Sequence, residues 1–130
     1  MECKEAFVES AGDFDKAVRI IHERGLVKVE KRADREAGAG LIESYIHNER
    51  IGVLVDVRAE TDFVVHSEPF RKLVHELAMQ IAALAPADVE ELLKQSHIKD
   101  ESKTVEDLVK ETIAQVGENI KINRFSRMEI

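Results

Sequence analysis

Apolar positions change period along this chain: helical spacing first, then alternation, then helical again, then a final alternating run. Between Asp13 and Arg24, Phe14, Ala17, Val18, Ile20 and Ile21 make one side of a helix that Asp13 caps and Gly25 ends. A shorter helix over residues 2–10 carries Cys3, Ala6 and Phe7 and breaks at Ala11-Gly12. Residues 26–40 are rich in Lys, Arg, Glu and Ala and close with Ala37-Gly38-Ala39-Gly40, the pattern of a solvated helix leading to a flexible joint. Leu41, Ile42, Tyr45 and Ile46 then predict a strand, and Ile51 to Val57 a second one. The polar four-residue loop His47-Asn48-Glu49-Arg50 joins them as an antiparallel hairpin.

Ser67 is a suitable cap for a long helix, with Glu68 and Pro69 in its first turn. Phe70, Leu73, Val74, Leu77, Ala78, Ile81 and Ala82 form its apolar stripe, which reads as core, and Pro86 ends it. A short capped helix is expected near 88–94, and 97–102 reads as loop. Thr104 caps another helix, with Asp107 completing a weakened capping box, Val105, Leu108, Val109, Thr112, Ile113 and Val116 facing inward, and Gly117 stopping it. Residues 119–128 alternate as a half-buried third strand, with Ile120 and Ile122 on one face; Arg124 continues their parity, so the alternation is imperfect toward the end. The expected fold is α+β: a three-stranded antiparallel sheet covered on one face by the Ser67 and Thr104 helices, with a small helical N-terminal appendage. Two short helices cannot bury a core of their own, so that appendage is expected to be labile, with proteolysis starting between Gly25 and Gly40.

One stretch does not fit the alternation of helices and strands. After the Val53–Val57 strand comes Thr61-Asp62-Phe63-Val64, where short polar residues that favour turns and helix starts are followed at once by apolar ones. An aromatic in this position either folds back to cover the core or stands on a tip held by a rigid scaffold, where it can bind.

Composition narrows the chemistry. The net charge of −7 argues against nucleic-acid binding, which requires a basic footprint. No apolar run is long enough to span a bilayer, and no signal peptide is apparent. The single Cys3 cannot form an internal disulfide, which fits a cytoplasmic protein. His22, His47, His66, His75 and His97 are spaced too widely for a metal site, and Gly38 and Gly40 follow no strand, so they form no phosphate loop. Neither a metal nor a cofactor is expected.

Glu60-Thr61-Asp62-Phe63-Val64 after a Gly-Val-Leu-Val strand resembles the core signature of bacterial elongation factor Ts. Gly117-Glu118-Asn119-Ile120 leading into a strand resembles the same family's second signature. Met1-Glu2-Cys3-Lys4-Glu5-Ala6, with Gly12-Asp13-Phe14-Asp15-Lys16-Ala17, resembles the latter part of its N-terminal ubiquitin-associated-like module, whose first helix has no counterpart here. The implied domains are a partial helical module over 1–27, a linker over 28–40 and an elongation factor Ts core over 41–130. The match departs from the family at Asp56, Arg58 and Ala59, where Glu, Asn and Cys are usual, and at Val65-His66. A long helical stretch before the Thr104 helix and a second core half are also absent.

The resemblance implies a protein that is not an enzyme. It would bind elongation factor Tu, GDP-bound and nucleotide-free, and promote GDP release. In that reading Asp62 and Phe63, within Thr61-Asp62-Phe63-Val64, disturb the partner's Mg²⁺ and nucleotide site, and the turn at Val116-Gly117 is a second contact. A homodimer is expected, each copy supplying the other's missing core half. The alternative is a fragment that docks on the same partner without exchanging nucleotide. A hydrolase pairing Asp62 with a histidine such as His66 is a remote third class, since no nucleophile with an orienting group is apparent.

Overall fold

The computed structural model describes residues 35–130; the two helices expected before them lie outside the described residues. Strand β1 (Ala39–His47) and strand β2 (Ile51–Ala59) form the expected antiparallel hairpin, and β5 (Ile120–Glu129) pairs with the other edge of β2, giving the order β1-β2-β5. The turn is one residue shorter than the expected four. His47 still pairs with Ile51, Asn48 and Glu49 take positive φ, and the Arg50 N–H bonds back to the His47 carbonyl at 3.0 Å. The strand also begins inside the segment assigned to the linker. Gly40 is a ladder residue opposite Arg58, and a Cβ there would lie 2.5 Å from the Val57 carbonyl oxygen. Its glycine allows close strand approach rather than a flexible joint.

The flaw in the last strand's alternation has a physical cause. Val55 pairs with Phe125 and Asp56 with Arg124, but Val57 pairs with Ile122, so Asn123 is an extra residue on β5. This bulge changes the parity. Ile120 and Ile122 face inward before it, Phe125 and Arg127 after it.

The long helix α2 (Glu68–Leu84) lies across β1 and β2, and all seven residues of its expected stripe are buried. Phe70, Leu77 and Ile81 are fully enclosed against Val53, Val55 and Val57. Helix α3 (Val89–Lys94) is capped by Asp88. Helix α4 (Val105–Val116) has a complete capping box, with Thr104 accepting from the Asp107 N–H and Asp107 accepting from the Thr104 N–H. Gly117 closes it in the left-handed conformation, φ 77°.

The segment expected to be loop before Thr104 is instead a two-stranded hairpin, β3 (Ser96–His97) with β4 (Asp100–Thr104). Buried Gln80 on α2 accounts for it. Its side chain donates to Gln95 Oε1 and the Ser96 carbonyl and accepts from the Ile98 N–H. A buried amide with its partners satisfied ties a polar, weakly alternating segment to the core.

The opposite sheet face carries no helix among the described residues. Ile42, Ile46, Leu54 and Met128 are 53–75 % exposed there, with Ile46, Gly52 and Met128 in one cross-strand row.

Candidate functional site

Strand β2 runs straight into the tip. Thr61 is the N-cap of a one-turn helix, α1 (Asp62–Val65), and its Oγ1 accepts the Val64 N–H at 3.4 Å. Val64 and Val65 point inward and are 4 % and 3 % exposed, whereas Phe63 between Asp62 and Val64 is 86 % exposed. A single helical turn forces this division, because residues adjacent in sequence point about 100° apart. Val64, expected among the partner-facing residues, instead has its side chain in the core, where it holds the turn down. Thr61, Asp62 and Phe63 face solvent.

The tip is gripped from the start of β5. Glu118 accepts the Thr61 N–H at 3.0 Å and the Thr61 hydroxyl at 2.7 Å. In return Glu60 accepts the Asn119 N–H at 2.6 Å. The Asn119 side chain donates to the Arg35 carbonyl at 2.8 Å, and the Arg35 guanidinium lies 3.9 Å from Glu60. Two carboxylates thus cross between adjacent strand ends, and each holds backbone of the other segment. Through Glu118 the Val116-Gly117 turn, half-buried, is brought beside the Thr61-Asp62-Phe63 tip, so the two sequence motifs 57 residues apart form one surface.

Glu60, Glu118 and Asn119 join the expected Val116 and Gly117 beside the tip, a contribution that the sequence expectation does not include. The signal was present, since all three lie inside the two motifs. What the motifs could not show was that their acids exchange partners.

A second polar cluster lies further along the sheet. Asp56 is 4 % exposed although it belongs to the open face, because Arg58, Asn123 and Arg124 cover it. The Arg58 guanidinium binds it through two hydrogen bonds, at 2.6 and 3.1 Å. This contact, aided by Asn123 at 2.9 Å and the charge of Arg124, outweighs burial and holds the carboxyl down at about 2. The bulge at Asn123 supplies one of these partners.

Among the described residues, the contact between Asp62 and the histidine near it in sequence runs to the Asp62 backbone. His66 Nδ1 lies 2.7 Å from the Asp62 backbone carbonyl, so the nearby histidine serves as part of the turn. His97, on β3, is buried 4.0 Å from Glu76 of α2, which Lys99 also approaches at 3.5 Å. Among the described residues no three His, Cys, Asp or Glu side chains cluster as metal ligands, and no helix is long and apolar enough to cross a membrane.

By class, the protein is a small α+β sheet domain that holds a bare aromatic on a clamped tip. Residues 60–130, beginning at the clamp, match the family model of elongation factor Ts. The chain is 39 % identical to elongation factor Ts of Coprothermobacter proteolyticus over 173 aligned residues, covering 98 % of this chain and 88 % of that protein. It is 35 % identical to the Thermosipho melanesiensis factor, with 100 % and 90 % covered. It is 36 % identical to the chloroplastic polyprotein of EF-Ts of Oryza sativa subsp. japonica, of which it covers 15 %. The chain belongs to the elongation factor Ts family and is a translation elongation factor. These alignments are longer than the chain itself, so the relatives carry internal segments that it lacks.

Proposed function

We propose that this protein is a guanine-nucleotide exchange factor for elongation factor Tu in the cytoplasm, performing no covalent chemistry of its own. The physical basis is linkage. A protein that binds its partner more tightly without nucleotide weakens nucleotide binding by the same factor. Mg²⁺ demands near-ideal octahedral geometry and is held partly by nucleotide phosphates, so a small displacement of its surroundings costs much affinity. Phe63 supplies the bulk for such a displacement, Asp62 accepts hydrogen bonds from the partner, and Val116-Gly117 extends the contact.

One observation carries this reading: Phe63 is 86 % exposed on a turn whose neighbours Val64 and Val65 are buried. A large apolar side chain held in water by a rigid support is the form of an interface anchor. The test is GDP release from elongation factor Tu with the intact chain and with Phe63→Ala. Acceleration by the first and a large loss in the second support the proposal; wild-type acceleration by Phe63→Ala overturns it.

The internal segments that relatives carry and this chain lacks favour a second reading, a factor that docks on elongation factor Tu without releasing nucleotide. Complex formation without any acceleration of GDP release would select it. We further propose a homodimer. Ile42, Ile46, Leu54 and Met128 give the open sheet face an apolar surface that a second copy would cover. Sedimentation giving a strict monomer with full activity would exclude this.

A further inference from the structure

We infer that Glu118 is the positioning residue of the exchange tip: it aims Phe63 by completing, from a distant segment, the cap of the one-turn helix that carries it. This inference rests on the proposed exchange function. In an ordinary capping box the N-cap side chain accepts an N–H three residues on, and an acid at that third position accepts the N-cap N–H in return. Helix α4 does this entirely locally, through Thr104 and Asp107. The tip helix cannot. Its N-cap is Thr61, and the third position after it is Val64, an apolar residue 4 % exposed in the core. An acid there would lose the anchor that holds the turn down.

Glu118 fills the vacant role from 57 residues away, accepting the Thr61 N–H at 3.0 Å. It also accepts the Thr61 hydroxyl at 2.7 Å, which leaves an oxygen lone pair free for the Val64 N–H. A helix of four residues has too few internal hydrogen bonds to hold its own orientation. Phe63 itself is 86 % exposed, so little packing fixes it among the described residues. The direction of the aromatic is therefore set by Val64 and Val65 below and by the Glu118 carboxylate at the side. Glu60 reciprocates by holding the Asn119 N–H at 2.6 Å, so the turn bearing Glu118 is itself fixed.

A residue that orients a wedge acts mainly after docking, in the step that expels nucleotide. The experiment measures GDP release from elongation factor Tu against factor concentration, for the intact chain, Glu118→Ala, Glu118→Gln, Phe63→Ala, Thr61→Val and the Thr61→Val/Glu118→Ala pair. Each rate is normalised to the folded fraction from a melting curve. Glu118→Ala is expected to lower the plateau rate roughly tenfold, the effect of losing charge-assisted hydrogen bonds. The half-saturating concentration should move by less than about twofold, since docking is retained. Glu118→Gln, which keeps an acceptor for the Thr61 N–H, should restore most of the rate. The double variant should lose less than the product of the two single effects, because the Thr61 hydroxyl–Glu118 bond is shared, while the Val64 N–H cap is lost only with Thr61.

A normalised plateau that Glu118→Ala leaves unchanged, while Phe63→Ala slows release, overturns the positioning role and leaves the exchange function standing. So does a change confined to the half-saturating concentration, which would make Glu118 an ordinary contact. If Phe63→Ala itself releases GDP at the wild-type rate, the exchange reading and this inference fail together.

Discussion

Phe63 and Phe70 are the same residue seven positions apart, and they sit in opposite environments. Phe70 is fully buried on α2 against the sheet; Phe63 is 86 % exposed on the tip. Phe63 lies in a one-turn helix that the Thr61 side chain caps, and Phe70 in the first turn of the long α2, whose N-cap Ser67 makes no side-chain cap bond. What separates them is the company of their faces. Phe70 shares a stripe with Leu73, Val74 and Leu77, so hydrophobic burial recruits all of them together. Phe63 shares its one turn with Val64 and Val65, and these take the inward face. The cost of leaving an aromatic in water is met by the burial of its neighbours and by carboxylate contacts at the turn. Such an arrangement, unfavourable for Phe63 alone, is what a binding anchor requires.

The comparison is broken most sharply at Phe70. Phe70→Ala should cost about 3–5 kcal/mol of stability, the range for truncating a buried aromatic. GDP release per folded molecule should stay near wild type, which a denaturant titration alongside the exchange assay would check. Phe63→Ala should give the mirror image. Its melting temperature should hardly move, while exchange loses about 2 kcal/mol, a factor of roughly thirty, as for a central interface anchor. A large fall in melting temperature with unchanged exchange per folded molecule would reverse the assignment of the two aromatics.

The smallest effect concerns the sheet that supports both. Arg58 above all holds the Asp56 carboxyl down at about 2, below the ordinary value of 3.8. A depressed carboxylate contributes stability that is present above its unfolded value and lost as pH falls from near 4 toward 2. With Arg58 and Arg124 partly in solvent, the contribution is about 1–2 kcal/mol. Asp56→Asn should flatten stability over that acid window and leave its shape above pH 5 unchanged, as followed by unfolding at fixed pH steps.

Much of this architecture was legible in the chain. The α2 stripe, the Asp88, Thr104 and Gly117 caps, and the three strands all follow from local signals: apolar period, cap chemistry and glycine. Those signals report one element against one surface, and they succeed where burial is one-sided. The tip motif was also legible, as an apolar pair placed where a polar turn was due.

The rest depended on contacts between segments far apart in sequence. Nothing local distinguishes an aromatic that covers the core from one that stands clear of it; that was settled when Val64 and Val65 occupied the space beneath the turn. The broken parity of the last strand became a bulge only by pairing with β2, where Asn123 found Asp56. The β3–β4 hairpin, in a stretch without strong alternation, exists because buried Gln80 needed hydrogen-bond partners. And the crossing of Glu60 to Asn119 and Glu118 to Thr61 joins the two motifs. The sequence by itself determined which elements form and carried both motifs, because periodicity and capping act within a few residues. The tertiary structure alone decided which aromatic faces water and what holds it there, because burial and hydrogen-bond satisfaction are settled between neighbours in space.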